Sequence, residues 1–501
     1  VHVASSASLA GRALLALLLL IVFYVLAIGI ALGMIGLGIL QLKIGGRVSP
    51  KLILICFATG GIILWSIIPR PDKFEPPGPR LDPRLQPELF AFLEEIASAV
   101  GQAMPVDVYL VPDVNAFVTQ RGGIMGMGSK RVMGLGLPLM QVLSVNELRG
   151  VIAHEFGHFA GGDTKLGPWI YKTRSALVRT IVNLQGGITG WFFLQYFKLF
   201  LWITQAISRA QEYAADQHAA ELVGSKAFES GLRMTRGAAV AFNSYMDSEY
   251  LPVLSAGFRP PLAEGFASFL GSEEIAKKLD ELVEEAARTE RSDPYDSHPA
   301  LRDRLAAIKS LPPGQEKEED PHAISLLGDS LDALEKELLG MVLGVRARKL
   351  EAISWQETTD KVTVPRWKEM LAEHGKALAG VTPAALADDP KRLSKIGGSF
   401  AKGAPPSEFK RAGAALVGTA IAYALIQRGY AAKDEVGKST ALEKDGVSVP
   451  IFEKLGKLAE GELAPEKWKK LCDQLEVADL DLGSLVPANE PKTKTTRKRK
   501  L

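Results

Sequence analysis

The hydrophobic pattern of this chain changes character near residue 70. Thirty consecutive uncharged residues, Ala13 to Leu42, are followed by a short basic loop and a second uncharged run, Leu52 to Pro69. As helices these would extend about 45 Å and about 27 Å, against a hydrocarbon core of about 30 Å. Together they predict a transmembrane helical hairpin within residues 1–70, with Gly29 and Gly33 opposite Gly60 and Gly61 so that the backbones approach closely. A cleaved signal peptide is the competing reading of the first run, but its apolar core would be half this length.

Beyond the hairpin the pattern becomes that of a water-exposed body. Residues 71–87 belong to a proline-rich stretch that reads as an extended linker. Glu88 to Ala103 has the period of an amphipathic helix. Val106 to Val111 alternates like a strand, and Phe117 to Thr119 and Ile124 to Leu137 look like further strands with a turn at Gly128-Ser129. Glu273 to Thr289 and Leu326 to Leu343 are charged and helical in period. The expectation is a mainly α chain with a small β-sheet, an α+β arrangement. It has a body at 88–312, a mainly helical C-terminal domain at 313–486 and a basic, disordered tail at 487–501 that could rest on an anionic membrane surface.

Composition narrows the function. The net charge is +2 with acids and bases nearly balanced, which gives no electrostatic case for nucleic acid as a partner. The two cysteines, Cys56 and Cys472, lie far apart and read as packed side chains rather than a disulfide framework. Arg70, Lys73, Arg80 and Arg84 after the second run favour a cytoplasmic body, while Lys43, Arg47 and Lys51 in the intervening loop argue the other way.

The chemistry is concentrated in SVNELRGVIAHEFGHFA, Ser144 to Ala160. Ser144 and Glu147 form a capping-box start and Gly161-Gly162 a natural stop, so this is a helix. His154 and His158, four apart, project from one face and can share a metal ion. Glu155 beside them is placed to take a proton from a metal-activated water, the His-Glu-x-x-His arrangement of zinc hydrolases. The other reading is a helix with two incidental histidines.

A third ligand is sought in SRAQEYAADQHAA, Ser208 to Ala220. A carboxylate from Glu212 would complete a His-His-Glu site for one zinc ion, and Asp216 one turn on could hydrogen-bond the outer nitrogen of a ligand histidine. His218 falls on another face and reads as surface. Ile188 to Ile207, rich in Trp, Phe and Leu, lies between the two halves of the site. A single crossing would place those halves on opposite sides of the membrane. Two crossings would bury Lys172, Arg174 and Arg179, so the stretch is expected in the core or at the interface.

NAFVTQRG (Asn115 to Gly122), LGLPLM (Leu135 to Met140), NELRGVIAHEFGHFAGGDT, SRAQEYAAD and SHPALRDRL occur in the order found in the HtpX-type and CAAX prenyl endopeptidase family of integral-membrane zinc metalloproteases, which this chain resembles. The resemblance implies a zincin-like metallopeptidase domain, His154, His158 and Glu212 as zinc ligands, and Glu155 as general base. It further implies that His298 or Arg304 steadies the site or a developing oxyanion; on the residues alone, Ser297-His298-Pro299 also reads as a helix start. Partners would be polypeptide substrates, added as an extended strand near Gly123 to Met133, and the lipid bilayer, that of the cell inner membrane. Two spans cannot build the many-helix chamber of prenyl endopeptidases. Turnover of membrane or misfolded proteins is therefore the expected role, against prenyl-peptide processing or a non-catalytic zinc-stapled scaffold.

Overall fold

The computed structural model describes residues 6–44, 49–70, 73–123, 128–160, 167–315, 320–401 and 403–485. The basic tail, the Gly161-Gly162 stop and the first residues of the predicted strand Ile124 to Leu137, 124–127, lie outside them. The chain is mostly helical and falls into two compact units: residues 1–242 with 277–347, and 243–276 with 348–501. This partition cuts the chain differently from the ranges 88–312 and 313–486. Segment 243–276 belongs to the second unit, and 313–347 stays with the first.

In the first unit the two apolar runs form α1 (Ser6–Ile44) and α2 (Pro50–Ile67), packed as an antiparallel pair. Leu14, Leu18, Val25, Leu32, Leu42, Leu54 and Trp65 are exposed on them, a surface that lipid rather than water would cover. The close approach uses fewer glycines than expected. A Cβ on Gly60 would meet the Ala31 carbonyl at 2.8 Å, whereas Gly29, Gly33 and Gly61 face open space. Ala27 and Ala31, fully buried, form the seam of α1 instead.

A second hairpin, α6 (Gly167–Leu184) and α7 (Gly187–Val223), packs against the first. Ile188 to Ile207 is thus no separate element: it is the leading part of one 37-residue helix that also carries Glu212. Expected in the core or at the membrane interface, it packs in a hydrophobic cluster shared with the first hairpin. Phe193 meets Phe23 at 6.2 Å between ring centroids, and the Tyr196 hydroxyl donates to the Leu19 carbonyl. Two arginines in this hairpin find polar partners. Arg179 donates to the Ser66 carbonyl at 3.0 and 3.1 Å, and Arg174 donates to Gln205 at 3.1 Å.

The body carries α3 (Pro87–Ala99) and a three-stranded sheet of β1 (Asp107–Val111), β2 (Ala116–Arg121) and β3 (Lys130–Gly136). The order is β1-β3-β2, parallel between β1 and β3 and antiparallel between β2 and β3. The presumed linker closes the outer edge of β1: the Leu81 N–H donates to the Val108 carbonyl, the Leu110 N–H donates to the Pro79 carbonyl, and Leu81 is buried. Helix α4 (Leu137–Val142), apolar apart from Gln141 and nearly all buried, follows β3 and leads to α5 (Val145–Ala160). Helix α8 (Ser225–Tyr245) follows α7 after Gly224, whose φ of +91° ends the longer helix.

The second unit has its own core. Its centre is the helix Pro406–Gln427, where Leu416, Val417, Ala420, Ile421 and Leu425 are fully buried among Leu371, Leu393, Leu455 and Trp468. By length and composition three helices among the described residues could cross a membrane: α1, α2 and this one. Here the apolar surface is already covered by protein. Cys472 is buried in the same core, and Cys56 is buried in α2.

Candidate metal centre

Helix α5 starts as its sequence dictates. The Ser144 backbone N–H donates to Glu147 Oε2 at 2.8 Å and the Glu147 N–H donates to Ser144 Oγ at 3.2 Å, a reciprocal capping box. Leu148, Ile152 and Phe156 bury the opposite face, so the helix can turn only one stripe toward the cleft. On that stripe His154 and His158 stand with ring centroids 4.8 Å apart and planes nearly perpendicular.

Helix α7 packs directly on α5. Gly157 permits this: a Cβ there would sit 3.1 Å from the Ala215 Cα. Glu212 and Asp216, one turn apart on α7, consequently face the histidines. Glu212 Oε2 lies 3.6 Å from His154 Nε2, and Glu212 Oε1 lies 3.5 Å from His158 Nε2. Bonds of about 2.0–2.1 Å in a tetrahedral site would hold such atoms about 3.3–3.4 Å apart. Glu212 Oε2 is buried with no hydrogen-bond partner among the described residues, an orphaned acceptor beside His154 Nε2. These three residues could hold a metal ion.

The electrostatics suit that role. Burial, followed by the neighbouring His154, pushes the His158 imidazole down to about 4, so it is neutral and offers a lone pair at neutral pH. Burial alone would raise Glu212, but His298, His154 and Arg304 outweigh it and keep it a carboxylate. Burial pushes the Glu155 carboxyl above its ordinary value, and Glu212 adds to this; His154 and the Val118 N–H oppose without cancelling it. A base raised in this way holds a proton more readily than an exposed carboxylate would.

Asp216 is completely buried behind the site. Its Oδ1 lies 2.9 Å from His154 Nδ1, close but not aligned as a hydrogen bond. Arg304, on the helix Leu301–Ile308, donates to Asp216 from Nη2 at 2.5 Å and from Nε at 2.8 Å. Burial alone would raise Asp216; Arg304 and His154 instead hold it down at about 2. Arg304 therefore works through Asp216, with its Nη1 still 3.9 Å from Glu212. His298 lies just before that helix, with Nδ1 3.0 Å from Glu212 Oε1, and its side chain remains about two-thirds exposed to the cleft. His218 is exposed and takes no part.

Several contributors were not legible from the motifs. Arg209 on α7 donates to the carbonyls of Asp293, Pro294 and Asp296 at 2.8–3.3 Å, pinning the loop that carries His298. Gln205, one turn earlier, donates to the Tyr295 carbonyl at 3.1 Å. Only their place within and just before the SRAQEYAAD block hinted at this. The strand expected to receive substrate is also reassigned. β3 is the central strand, so the edge beside the site belongs to β2, whose Val118 N–H donates to Glu155 Oε2 at 3.4 Å. No strand pairs with the outer side of β2 among the described residues. A cleft of about 440 Å³ opens here, lined by Asn115, Ala116, Glu155, His298 and Arg304.

A glutamate between two histidines, a third ligand from a neighbouring helix and a strand edge alongside make the arrangement of a metallopeptidase. Residues 83–311 match the model of Peptidase family M48, so the chain carries a domain of that family. The match covers every block behind the resemblance to the HtpX-type and CAAX prenyl endopeptidases and bears it out at the level of the family. No solved structure matches the chain.

Proposed function

We propose that this chain is a membrane-attached zinc endopeptidase that hydrolyses polypeptides, with His154, His158 and Glu212 as metal ligands and Glu155 as general base. The observation that carries this is the buried Glu212 carboxylate, whose unpartnered Oε2 faces His154 Nε2 and whose Oε1 faces His158 Nε2 at spacings that suit a tetrahedral ion. Zinc, when bound, supplies a Lewis acid that polarises the scissile carbonyl and makes a water molecule easier to deprotonate. Glu155 takes the proton of that attacking water and delivers it to the leaving amine, so no covalent acyl-enzyme forms. The β2 edge receives the substrate as an added strand, its backbone groups pairing with those of Ala116 to Arg121. His298, exposed to the cleft and bonded to Glu212, stands where it can donate to a developing oxyanion.

The spans keep the site near a bilayer, which suits turnover of membrane or misfolded proteins. The basic residues after α2 favour a cytoplasmic body in this reading. The test is chelator-sensitive cleavage of casein by the purified protein together with its zinc content. Glu155→Gln is expected to retain zinc and lose activity by about 100-fold or more. Full peptidase activity in that variant overturns the assignment.

A further inference from the structure

The second unit holds a cavity of about 230 Å³ that takes no part in the chemistry above. Its lining includes Glu249, Asp434 and Arg366 together with Trp355, Trp367 and Phe452. Two π-helical turns, Met246–Tyr250 and Thr359–Thr363, supply Ser248, Glu249, Val362 and Thr363 to the same walls. Such turns account for well under 1% of residues in globular proteins and concentrate at functional sites. Two of them converging on one cavity mark it as more than a packing gap.

The charges around the void are unpaired in a complementary way. Glu249 accepts a backbone N–H from Gly437 and the Ser248 hydroxyl, and no cation pairs with it among the described residues. Asp434 accepts two neutral hydroxyls, from Thr363 at 2.6 Å and Thr440 at 2.9 Å. Arg366 lines the same space without an anionic partner among the described residues. Burial, and then the charge of Asp434, push the Glu249 carboxyl up to about 7. A carboxylate in that position gains strongly from a bound cation. A guanidinium on the same cavity offers a fork for a carboxylate.

We propose that this cavity binds a small zwitterion, a free α-amino acid or a dipeptide. Its ammonium would meet Glu249, its carboxylate Arg366, and its side chain the aromatic residues Trp355, Trp367 and Phe452. Size sets the class. A single amino acid or a dipeptide matches a space of about 230 Å³, and a longer peptide exceeds it. The inference rests on the cavity alone and stands or falls independently of the peptidase reading.

The test is a tryptophan-fluorescence titration of the full-length protein in detergent, in a Glu155→Gln background so that nothing is cleaved. Leucine and glycyl-leucine are the probes; N-acetyl-leucine and leucinamide each lack one charge. Saturable binding of either zwitterion is expected, with roughly tenfold or greater weakening for both capped analogues. The same loss is expected in Glu249→Gln and Arg366→Ala, with unchanged circular dichroism. Tighter binding of the dipeptide or of leucine identifies which source the site serves. Absence of saturable zwitterion binding, equal affinity for the capped analogues, or binding that survives both substitutions overturns the proposal.

Discussion

Arg304 holds Asp216 at two points, 2.5 and 2.8 Å, and the Asp216 oxygen nearer to Arg304 Nη2 lies 2.9 Å from Nδ1 of His154. An arginine 88 residues beyond the aspartate thereby fixes the carboxylate that faces a histidine of the candidate metal site. A carboxylate facing Nδ1 favours the tautomer with its proton on that nitrogen, which would leave the Nε2 lone pair for a metal ion shared with Glu212.

Arg304→Ala should therefore lower zinc affinity by about 10–100-fold, because Asp216 would be left charged, buried and unable to orient His154. Arg304→Lys should recover only part of this, since an ammonium cannot supply the two-point contact. Competition with a chromophoric chelator measures both variants. Unchanged affinity in the alanine variant would remove Arg304 from the site.

Gly157→Ala tests the helix contact. The added methyl would lie 3.1 Å from the Ala215 Cα, so α5 and α7 must separate and Glu212 retreats from the histidines. Overpacking of this kind costs about 1–3 kcal/mol. The expected outcome is weaker zinc binding and a lower melting temperature together, whereas a change in melting alone would show that the spacing is not critical.

Arg209→Ala should free the loop that carries His298, since three carbonyls lose their donor. Cleavage efficiency is expected to fall about tenfold, roughly 1.4 kcal/mol in the barrier, with zinc content preserved. Steady-state kinetics alongside metal analysis separates this from a loss of metal.

The second unit carries a pH dependence of its own. Glu249 titrates near 7 in the folded protein, above the ordinary value of about 4.3 for an unfolded chain. Between those two values the folded state binds more protons than the unfolded state, so stability falls as pH rises through the window. The loss is of order 3 kcal/mol when complete. Between pH 5 and pH 8 the melting temperature of the native protein should drop more than that of Glu249→Gln, in thermal unfolding of the full chain.

What was legible in the sequence followed from local geometry. Spacings of four place His154 with His158 and Glu212 with Asp216 on common helix faces whatever the rest of the fold does, and Ser144 with Glu147 caps α5 through contacts three residues apart. The two apolar runs define α1 and α2 because length against bilayer thickness is also a local property. The expected helix Glu88 to Ala103 stops at Ala99, since Gly101 turns with φ +64°. The helical period from Leu326 is broken at Gly328, so the regular helix begins only at Leu331.

Only the tertiary structure decided relations between segments far apart in the chain. It put β3 in the centre of its sheet and left β2 as the edge beside Glu155, because strand order depends on pairing partners that no single strand encodes. It chose Ala31 over Gly29 and Gly33 as the contact for Gly60, since helix rotation is set by packing and not by composition. It buried an apolar helix, Pro406–Gln427, in protein although its length and composition would also suit lipid. It also joined Arg304 to Asp216 and Arg209 to the His298 loop, contacts that need several elements assembled first. Periodicity and motif spacing report which face a residue occupies; what lies against that face is settled by the packing of the whole chain.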